Sequence, residues 1–185
     1  MIPPMNRDWY EVSPVQLETI VVEFLRELGR PLQSFSVDHL GKVAGPDGEF
    51  VLDGVARFCA FGADFTVLVE CKHHRRRVER GLVQELSDKV TSVRAQKGIM
   101  FSTGGYQDGA IEYARSRSIA LVHLTPGGPM YESRSTDGPA GPCRDHELWV
   151  VYWRSEGGWC YSGDAADVSR EWWQGVEQSL TADSR

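Results

Sequence analysis

The sequence predicts an α/β protein in which a mixed sheet carries helices on both faces, in the order α-β-β-β-α-β-α-β. Three observations lead to this prediction: an amphipathic segment comes first, three strand-like runs with short connections follow it, and two later apolar runs are each preceded by a helical segment. Short connections are typical of antiparallel neighbours, whereas strands reached through a helix are usually parallel. We therefore expect a three-layer α/β/α core.

The first helix has a clear beginning and end. Ser13 is a capping residue, Pro14 suits the first helical position, and Gln16 lies three residues after the cap. Gly29 and Pro31 are expected to end the helix. The apolar face repeats with helical spacing and consists of Leu17, Ile20, Val21, Phe24, Leu25 and Leu28.

Three strands are predicted next, over 35–43, 50–60 and 65–72. Glycine-containing turns at 45–48 and 62–64 separate them, which predicts an antiparallel meander.

The second half of the core alternates between helices and strands. We expect a helix over 78–95, a buried strand over 99–102, a helix over 107–117 and a last strand over 119–124. The apolar face of the 78–95 helix consists of Leu82, Val83, Leu86, Val90 and Val93.

The chain divides by composition into four parts. Residues 1–12 are predicted to be an N-terminal tail, 13–124 the core, and 125–145 a Gly/Pro-rich linker or loop. Residues 146–185 are predicted to form an aromatic hairpin and a helix. Their tryptophans are compatible with a platform for base stacking, although an aromatic hairpin packed on a helix is the commoner structure.

The overall composition is that of an ordinary globular protein, with 41% hydrophobic and 25% charged residues. No apolar run approaches the length of a membrane span, and the N-terminus lacks the pattern of a secretory signal, so we expect a cytoplasmic protein without a membrane partner. The four cysteines form no CxxC or CxxH pair, which argues against structural zinc or a disulfide framework.

Positive charge is concentrated in one stretch. The net charge is −6, but residues 72–80 alone carry +4, which leaves −10 for the rest. Contact with phosphate is therefore expected to be local. A solvated loop rich in arginine is the alternative.

The strand over 65–72 ends in Glu70 and Lys72. Because side chains alternate along a strand, the two are expected to share one face. Asp53 ends the neighbouring strand, so Asp53 and Glu70 are placed to share a divalent cation, with the Cys71 backbone carbonyl as a further oxygen ligand. Such a cation would activate water and stabilise charge on a phosphate, while Lys72 would orient or deprotonate the water or offset charge in the transition state. Taken singly, each of these residues would be an ordinary surface charge.

In their order along the chain these residues resemble the PD-(D/E)xK nuclease superfamily, and within it the Mrr-like restriction endonuclease domains. The resemblance runs from about Ser13 to Leu124. The chain departs from the pattern in two ways: Asp53 is not preceded by proline, and Glu70 stands where many such domains carry Gln. The matching segments are Leu17-Glu18, Asp53 to Arg57, Val69 to His74, and Gly98 to Tyr106 before Ala110.

The resemblance implies a restriction-endonuclease-like core and Mg²⁺-dependent cleavage of DNA, with Mn²⁺ as a substitute, in defence against foreign DNA. It makes Asp53 and Glu70 metal ligands, Lys72 the catalytic lysine, and Glu18 the helix acid that completes the site. The first helix by itself equally allows Glu18 to favour the positive helix N-terminus. Gln84 is predicted to be either a supporting polar residue or exposed helix surface.

Residues near the predicted cleft are expected to contact nucleic acid, chiefly through backbone phosphates. For the two hydroxyl residues among them, a simple turn after a strand is the alternative. The set is His73, His74, Arg75, Arg76, Arg77, Arg80, Ser102 and Thr103.

The sequence shows no separate recognition module, so target choice would come from the 125–185 extension, a partner or DNA structure. A homodimer and a separate targeting or ATPase partner are both left open. The alternatives in function are a nuclease acting on RNA or branched DNA, and a nucleic-acid-binding module without catalysis. The presence of Asp53, Glu70 and Lys72 argues against the module.

Overall fold

The computed structural model describes residues 8–46, 48–126, 128–133 and 141–142. The hairpin and helix predicted within 146–185 lie outside the described residues. None of the helices in the described part of the chain is long and apolar enough to span a membrane.

The core is a mixed sheet between helical layers, as the sequence predicts. Its strands lie side by side in chain order, antiparallel from β1 to β3, parallel from β3 to β5, and antiparallel again from β5 to β7. The helices are α1 (Pro14–Gly29), α2 (Arg80–Ser92) and α3 (Asp108–Arg115). The strands are β1 (Gln33–Gly45), β2 (Gly48–Ala60), β3 (Ala63–Lys72), β4 (Lys97–Ser102), β5 (Ile119–Thr125), β6 (Gly128–Ser133) and β7 (Gly141–Pro142).

The start of α1 confirms the predicted capping box. The Ser13 hydroxyl accepts a hydrogen bond from the Gln16 backbone N–H at 3.3 Å, and the Gln16 side chain accepts from the Ser13 N–H at 2.8 Å. Two otherwise unpaired donors at the helix start are thereby satisfied.

Apolar side chains fill the space on both faces of the sheet. The α1 cluster, on one face, includes Leu17, Val21, Phe24, Val69 and Phe101. The α2/α3 cluster, on the other face, includes Leu68, Val83, Leu86, Met100 and Leu121. Neighbouring residues of β3 and β4 enter opposite clusters because a strand alternates its side chains.

Helix α2 begins two residues later than predicted because Val78 takes part in a different structure. It forms an isolated parallel bridge with Tyr106, and its N–H donates to the Gly105 carbonyl at 2.9 Å. The loop after β3 is thereby fastened to the loop after β4.

Residues 9–12 are part of the core, which corrects their prediction as a tail. Residues Trp9–Glu11 form a 3₁₀ turn, and Trp9 and Val12 are buried. The Trp9 indole N–H donates to the Thr125 carbonyl at 2.9 Å, which fastens the turn to the end of β5. In a solvated tail the large apolar surface of Trp9 would be exposed to water, so packing against the core is favoured.

Residues 128–133, which the Gly/Pro-rich composition assigned to a linker or loop, form strand β6. This strand pairs antiparallel with β5 and continues the sheet. Without it, β5 would expose an unpaired edge, and covering such an edge satisfies its backbone groups.

Candidate active site

Glu70 and Lys72 lie together at the carboxyl end of β3. The Lys72 ammonium donates to Glu70 Oε2 at 2.9 Å, so the two side chains share a face as the period of the strand predicts. Here β3 pairs with the central strand β4, with Glu70 opposite Met100 and Lys72 opposite Ser102. The pair is therefore held on a rigid element.

A second lysine contacts the same carboxylate. Lys89, on α2, donates from its ammonium to Glu70 Oε1 at 2.6 Å. Only 9% of the Glu70 side chain is exposed, and each of its oxygens accepts from one ammonium. A buried carboxylate is costly unless it is paired, and these contacts offset that cost.

The two lysines determine the ionisation of Glu70. Burial by itself raises the pKa of this carboxyl, but the hydrogen bonds from Lys89 and Lys72 outweigh burial and hold the pKa below its ordinary value. For Lys72, burial lowers the pKa, but the hydrogen bond to Glu70 and the nearby carboxylate of Asp53 reverse the direction and raise it. Glu70 is therefore an anion and Lys72 a cation at neutral pH.

Asp53 lies where β2 and β3 separate. The backbone pairing of the two strands ends at Gly54 and Val69. Beyond that pair, Asp53 Oδ2 accepts from the Cys71 N–H at 2.6 Å, so a side chain replaces the main-chain acceptor. This bond holds the carboxylate against the end of β3.

Strand β2 turns about its own axis at Asp53. Leu52 and Val55 both enter the α2/α3 cluster, although residues three apart in a regular strand point to opposite faces. Between them, Gly54 faces the α1 cluster, where an added Cβ would lie 3.2 Å from Val69 Cβ. Opposite Asp53 on β1, Leu40 adopts a φ of 51°. This irregularity places the Asp53 carboxylate against the carboxyl end of β3.

The surroundings of Asp53 disfavour its charged form. Burial raises the pKa of this carboxyl most; the Cys71 hydrogen bond lowers it; the carboxylates of Glu70 and Glu18 raise it further, and the net direction is upward. Three acidic side chains therefore act on one another at the end of the sheet. Bound positive charge would relieve this repulsion.

Glu18 reaches this region from α1 and contacts β1. Its Oε2 accepts from His39 Nε2 at 3.0 Å, and the Glu18 side chain is 18% exposed. The carboxylate therefore leans over the sheet, which is one of the two placements that the sequence left open, and His39 holds it there.

The donor chemistry of the site suits a hard cation such as Mg²⁺, which prefers carboxylate and carbonyl oxygens. Within the described residues, Asp53 uses only Oδ2, and Oδ1 accepts no hydrogen bond. Both oxygens of Glu70, by contrast, are paired with lysines. Among the residues that the structure describes, no three His, Cys, Asp or Glu side chains are arranged to hold a metal ion together. Asp53 fits the role of ligand directly, whereas Glu70 must first release an ammonium.

Two further predicted residues have simple surroundings. The Cys71 thiol packs against the α1 cluster, and burial raises its pKa well above the ordinary value, so it stays protonated. The ligand role predicted for Cys71 belongs to its backbone carbonyl and not to this thiol. Gln84 is half-buried on α2.

The loop after β3 divides the predicted nucleic-acid contacts into two groups. His73 Nε2 donates to the Trp9 carbonyl at 3.0 Å, and Arg75 lies 5.1 Å from the centre of the Tyr10 ring. These two side chains hold the loop to the N-terminal turn. The exposed side chains of His74, Arg76 and Arg77 have no such contact within the described chain.

Ser102 and Thr103 are buried, which disfavours the predicted contact with nucleic acid. Thr103 Oγ1 accepts from the His74 N–H at 3.1 Å and donates to the His74 carbonyl at 2.9 Å, while Ser102 Oγ accepts from the Gly104 N–H at 3.2 Å. Both hydroxyls stabilise the junction of two loops, which is the turn that the sequence offered as the alternative.

Arg80 begins α2 and packs on a neighbouring helix. Its guanidinium lies 5.0 Å from the centre of the Tyr113 ring on α3, and Arg117 lies 5.5 Å from the same centre. Arg80 is exposed, and its contact with Tyr113 involves neither Glu70 nor Lys72.

Sequence reasoning missed Lys89 and His39. Lys89 had a signal, because it follows Leu82 and Leu86 by seven and three residues and so lies beside the buried face of α2. His39 had none, since its contact with Glu18 depends on how α1 crosses β1.

Comparison with known proteins identifies the family. The model of the Mrr_cat family, described as "Restriction endonuclease", matches residues 9–125. No curated protein matches the sequence significantly.

Two solved structures are similar at low identity. The first, titled "Crystal Structure of Protein of Unknown Function AF1548", has 18% identity and a TM-score of 0.47, over 62% of this chain and 57% of that one. The second, titled "DNA modification-dependent restriction endonuclease AspBHI", has 17% identity and a TM-score of 0.43, over 63% of this chain and 30% of that one. This chain thus matches about half or less of each of those proteins. Because the family model covers most of the chain and contains every acidic and basic residue of the candidate site, the chain belongs to the Mrr_cat restriction endonuclease family.

Proposed function

We propose that this protein is a Mg²⁺-dependent endonuclease that hydrolyses phosphodiester bonds of DNA, with Mn²⁺ able to replace Mg²⁺, and that it acts in restriction or defence. One observation carries the proposal: Asp53, Glu70 and Lys72 converge where β2 and β3 separate. Membership of a restriction endonuclease family supports DNA as the substrate.

Asp53, Glu70 and the Cys71 carbonyl would hold the cation, with Glu18 completing the acidic surroundings. The cation, when bound, supplies charge stabilisation for the phosphate oxygens and a water of lowered pKa. Burial, Glu70 and Glu18 raise the pKa of Asp53, and a bound cation would stabilise its carboxylate against these effects.

Lys72 would act as a cation rather than as a base. Its pKa is raised because Glu70 stabilises the charged form, so the ammonium keeps its protons. From the end of β3, Nζ would donate a hydrogen bond to the attacking water or to a phosphate oxygen and offset the charge that develops there. Glu70 positions it through their 2.9 Å contact.

Arg76 and Arg77 would bind the sugar-phosphate backbone. They are exposed in the loop that directly follows Lys72. Arginine binds phosphate through a planar set of donors, and such contacts provide affinity and orientation without reading the sequence.

A plasmid-nicking assay tests the proposal. Supercoiled DNA is incubated with the full chain in Mg²⁺, in Mn²⁺ or in EDTA, and wild type is compared with Asp53→Ala and Lys72→Ala. We expect cleavage by wild type with either metal, none in EDTA, and loss of cleavage in both variants. Asp64→Ala and Arg30→Ala are matched controls and should cleave normally. Both residues are exposed and lie near the opposite ends of the strands, six or more residues of strand away from Glu70 and Asp53.

The same assay separates the other functions. Equal cleavage by wild type and by the Asp53 and Lys72 variants would refute the assigned site. Binding of DNA without cleavage in any metal would identify a binding module. Cleavage of RNA or of branched DNA, with linear and supercoiled duplex left intact, would change the substrate class while keeping the site.

A further inference from the structure

We propose that Lys89 is a positioning residue that competes with the catalytic cation for Glu70 and thereby sets the metal affinity of the site. This inference rests on the proposed function, because it requires Asp53 and Glu70 to be the cation ligands.

The contacts of Glu70 show why competition is expected. The Lys89 ammonium lies 2.6 Å from Oε1, and the Lys72 ammonium lies 2.9 Å from Oε2. Both oxygens are thus engaged by positive groups. A cation that binds Glu70 must take over at least one of these oxygens.

Lys89 is better placed to leave than Lys72. Lys72 lies on the same strand as Glu70, two residues away, so the strand itself holds the two side chains side by side. Lys89 arrives from another element on a flexible stem, and 28% of its side chain is exposed. Buried Leu86 and Val90 anchor α2 beneath it, so its ammonium can turn towards solvent while the helix stays in place.

The charges around the site support the same conclusion. Glu70 and Glu18 act electrostatically on Asp53, and Lys72 and Lys89 donate hydrogen bonds to Glu70 from β3 and α2. These three carboxylates and two ammoniums sum to −1. Loss of the Lys89 charge makes the sum −2, which matches a divalent cation. Removing a positive charge beside a cation site raises its affinity for cations by Coulomb's law.

The test measures binding of the metal alone. The full chain, without DNA, is titrated calorimetrically with Mn²⁺ and with Mg²⁺ in wild type, Lys89→Met and Lys89→Arg. We expect the Kd of Lys89→Met to fall roughly tenfold. The substitution removes one nearby positive charge that repels the cation, and this repulsion is only weakly screened. Lys89→Arg keeps the charge and should stay within about threefold of wild type on the same reasoning.

Two controls define the site. Arg30→Met removes an equal charge from an exposed side chain just before β1, at the opposite end of the strands from Asp53, and should leave the Kd unchanged. Glu70→Gln should abolish the binding event that Lys89→Met tightens. Lys89→Gln provides a second neutral side chain, and circular dichroism and thermal melting establish that each variant is folded.

An unchanged or weaker affinity in folded Lys89→Met and Lys89→Gln would overturn the inference, as would an equal gain in Arg30→Met. If wild type nicks DNA with Mg²⁺ and the Lys89 variants bind metal as wild type does, this inference alone fails. If wild type binds no metal and does not nick DNA, both the proposed function and this inference fail.

Discussion

Asp53 Oδ2 accepts a hydrogen bond from the Cys71 N–H at 2.6 Å, just beyond the last backbone pair of β2 and β3. The carboxylate thus takes the place that a main-chain carbonyl would have if the strands continued to pair. The hydrogen bond stabilises the separated strand ends, yet it fixes a carboxylate among other acids. The Cys71 hydrogen bond therefore stabilises Asp53 at this position, whereas the neighbouring acids disfavour its negative charge. Substitutions separate these two effects.

Asp53→Asn should stabilise the metal-free protein at neutral pH, because asparagine keeps the acceptor for Cys71 and removes the repelled charge. The pKa of Asp53 is raised above its ordinary value of 3.8, chiefly by burial. A raised carboxyl pKa contributes stability below the ordinary value, and that contribution is lost as pH rises through the folded pKa. Urea denaturation in EDTA should show a higher midpoint for the variant at pH 7, with the difference shrinking towards pH 4. Exposed Asp64→Asn is the control, and an equal or lower midpoint for Asp53→Asn would contradict the prediction.

Glu70→Gln should destabilise the protein at neutral pH. The change leaves the Lys72 and Lys89 ammoniums without their anion, and a loss of about 1–3 kcal/mol in the free energy of unfolding is expected for such a group. The pKa of Glu70 lies below its ordinary value of 4.5 because the lysine hydrogen bonds outweigh burial, so its contribution is present above that value and is lost as pH falls through the folded pKa. Denaturation at pH 7 measures the loss. Glu49→Gln, in an exposed pair with Lys42, should cost no more than about 0.5 kcal/mol, and a similar small cost for Glu70→Gln would refute the argument.

Lys72→Met should remove cleavage while leaving the fold intact. A single preorganised donor to developing charge is worth about 10²–10³ in rate, so the single-turnover nicking rate should fall by at least that factor. Lys72→Arg should also be impaired, because the planar guanidinium does not reproduce the compact ammonium beside Glu70. A Lys72→Met rate within a few fold of wild type would show that another group offsets the charge.

Arg76→Ala and Arg77→Ala should weaken DNA binding without changing sequence preference. Each lost phosphate contact should reduce the slope of log K against log salt by about 0.9. Fluorescence anisotropy over a range of salt concentrations, in Ca²⁺ or EDTA to prevent cleavage, measures the slope. Arg94→Ala is a matched control, since this residue follows the far end of α2, about 20 Å from its start. An equal effect in the control would mean that DNA contact is not local to the loop.

Gly104→Ala should destabilise the junction between the loops after β3 and β4. An added Cβ would lie 2.3 Å from the Arg76 carbonyl oxygen and 2.6 Å from that of His74, both backbone atoms that cannot move aside alone. A loss of about 1–3 kcal/mol is expected from such overpacking. Gly109→Ala, on α3 with open space at its Cβ, should instead stabilise by about 0.5–1 kcal/mol. Thermal melts of both variants compare the two outcomes, and similar shifts would exclude the steric explanation.

The sequence by itself was sufficient for the order of helices and strands and for the pairing of Glu70 with Lys72. Capping at Ser13, turn residues between strands and the periods of apolar residues are local signals, and a strand places residues two apart on one face wherever it lies. The match of the whole order to a nuclease family followed from the same local features, and the family model confirms it.

Only the tertiary structure decided what surrounds those residues. Burial of Trp9 and pairing of β6 depended on which surface and which edge were available after the sheet had formed. Lys89 and His39 reach Glu70 and Glu18 across 19 and 21 residues of chain, through the crossing of helices over strands. Burial of Ser102 and Thr103 likewise follows from two loops lying against each other. Periodicity tells which face of an element a side chain occupies; what lies opposite that face depends on packing between elements distant in the chain, and this packing determines the charge balance of the site.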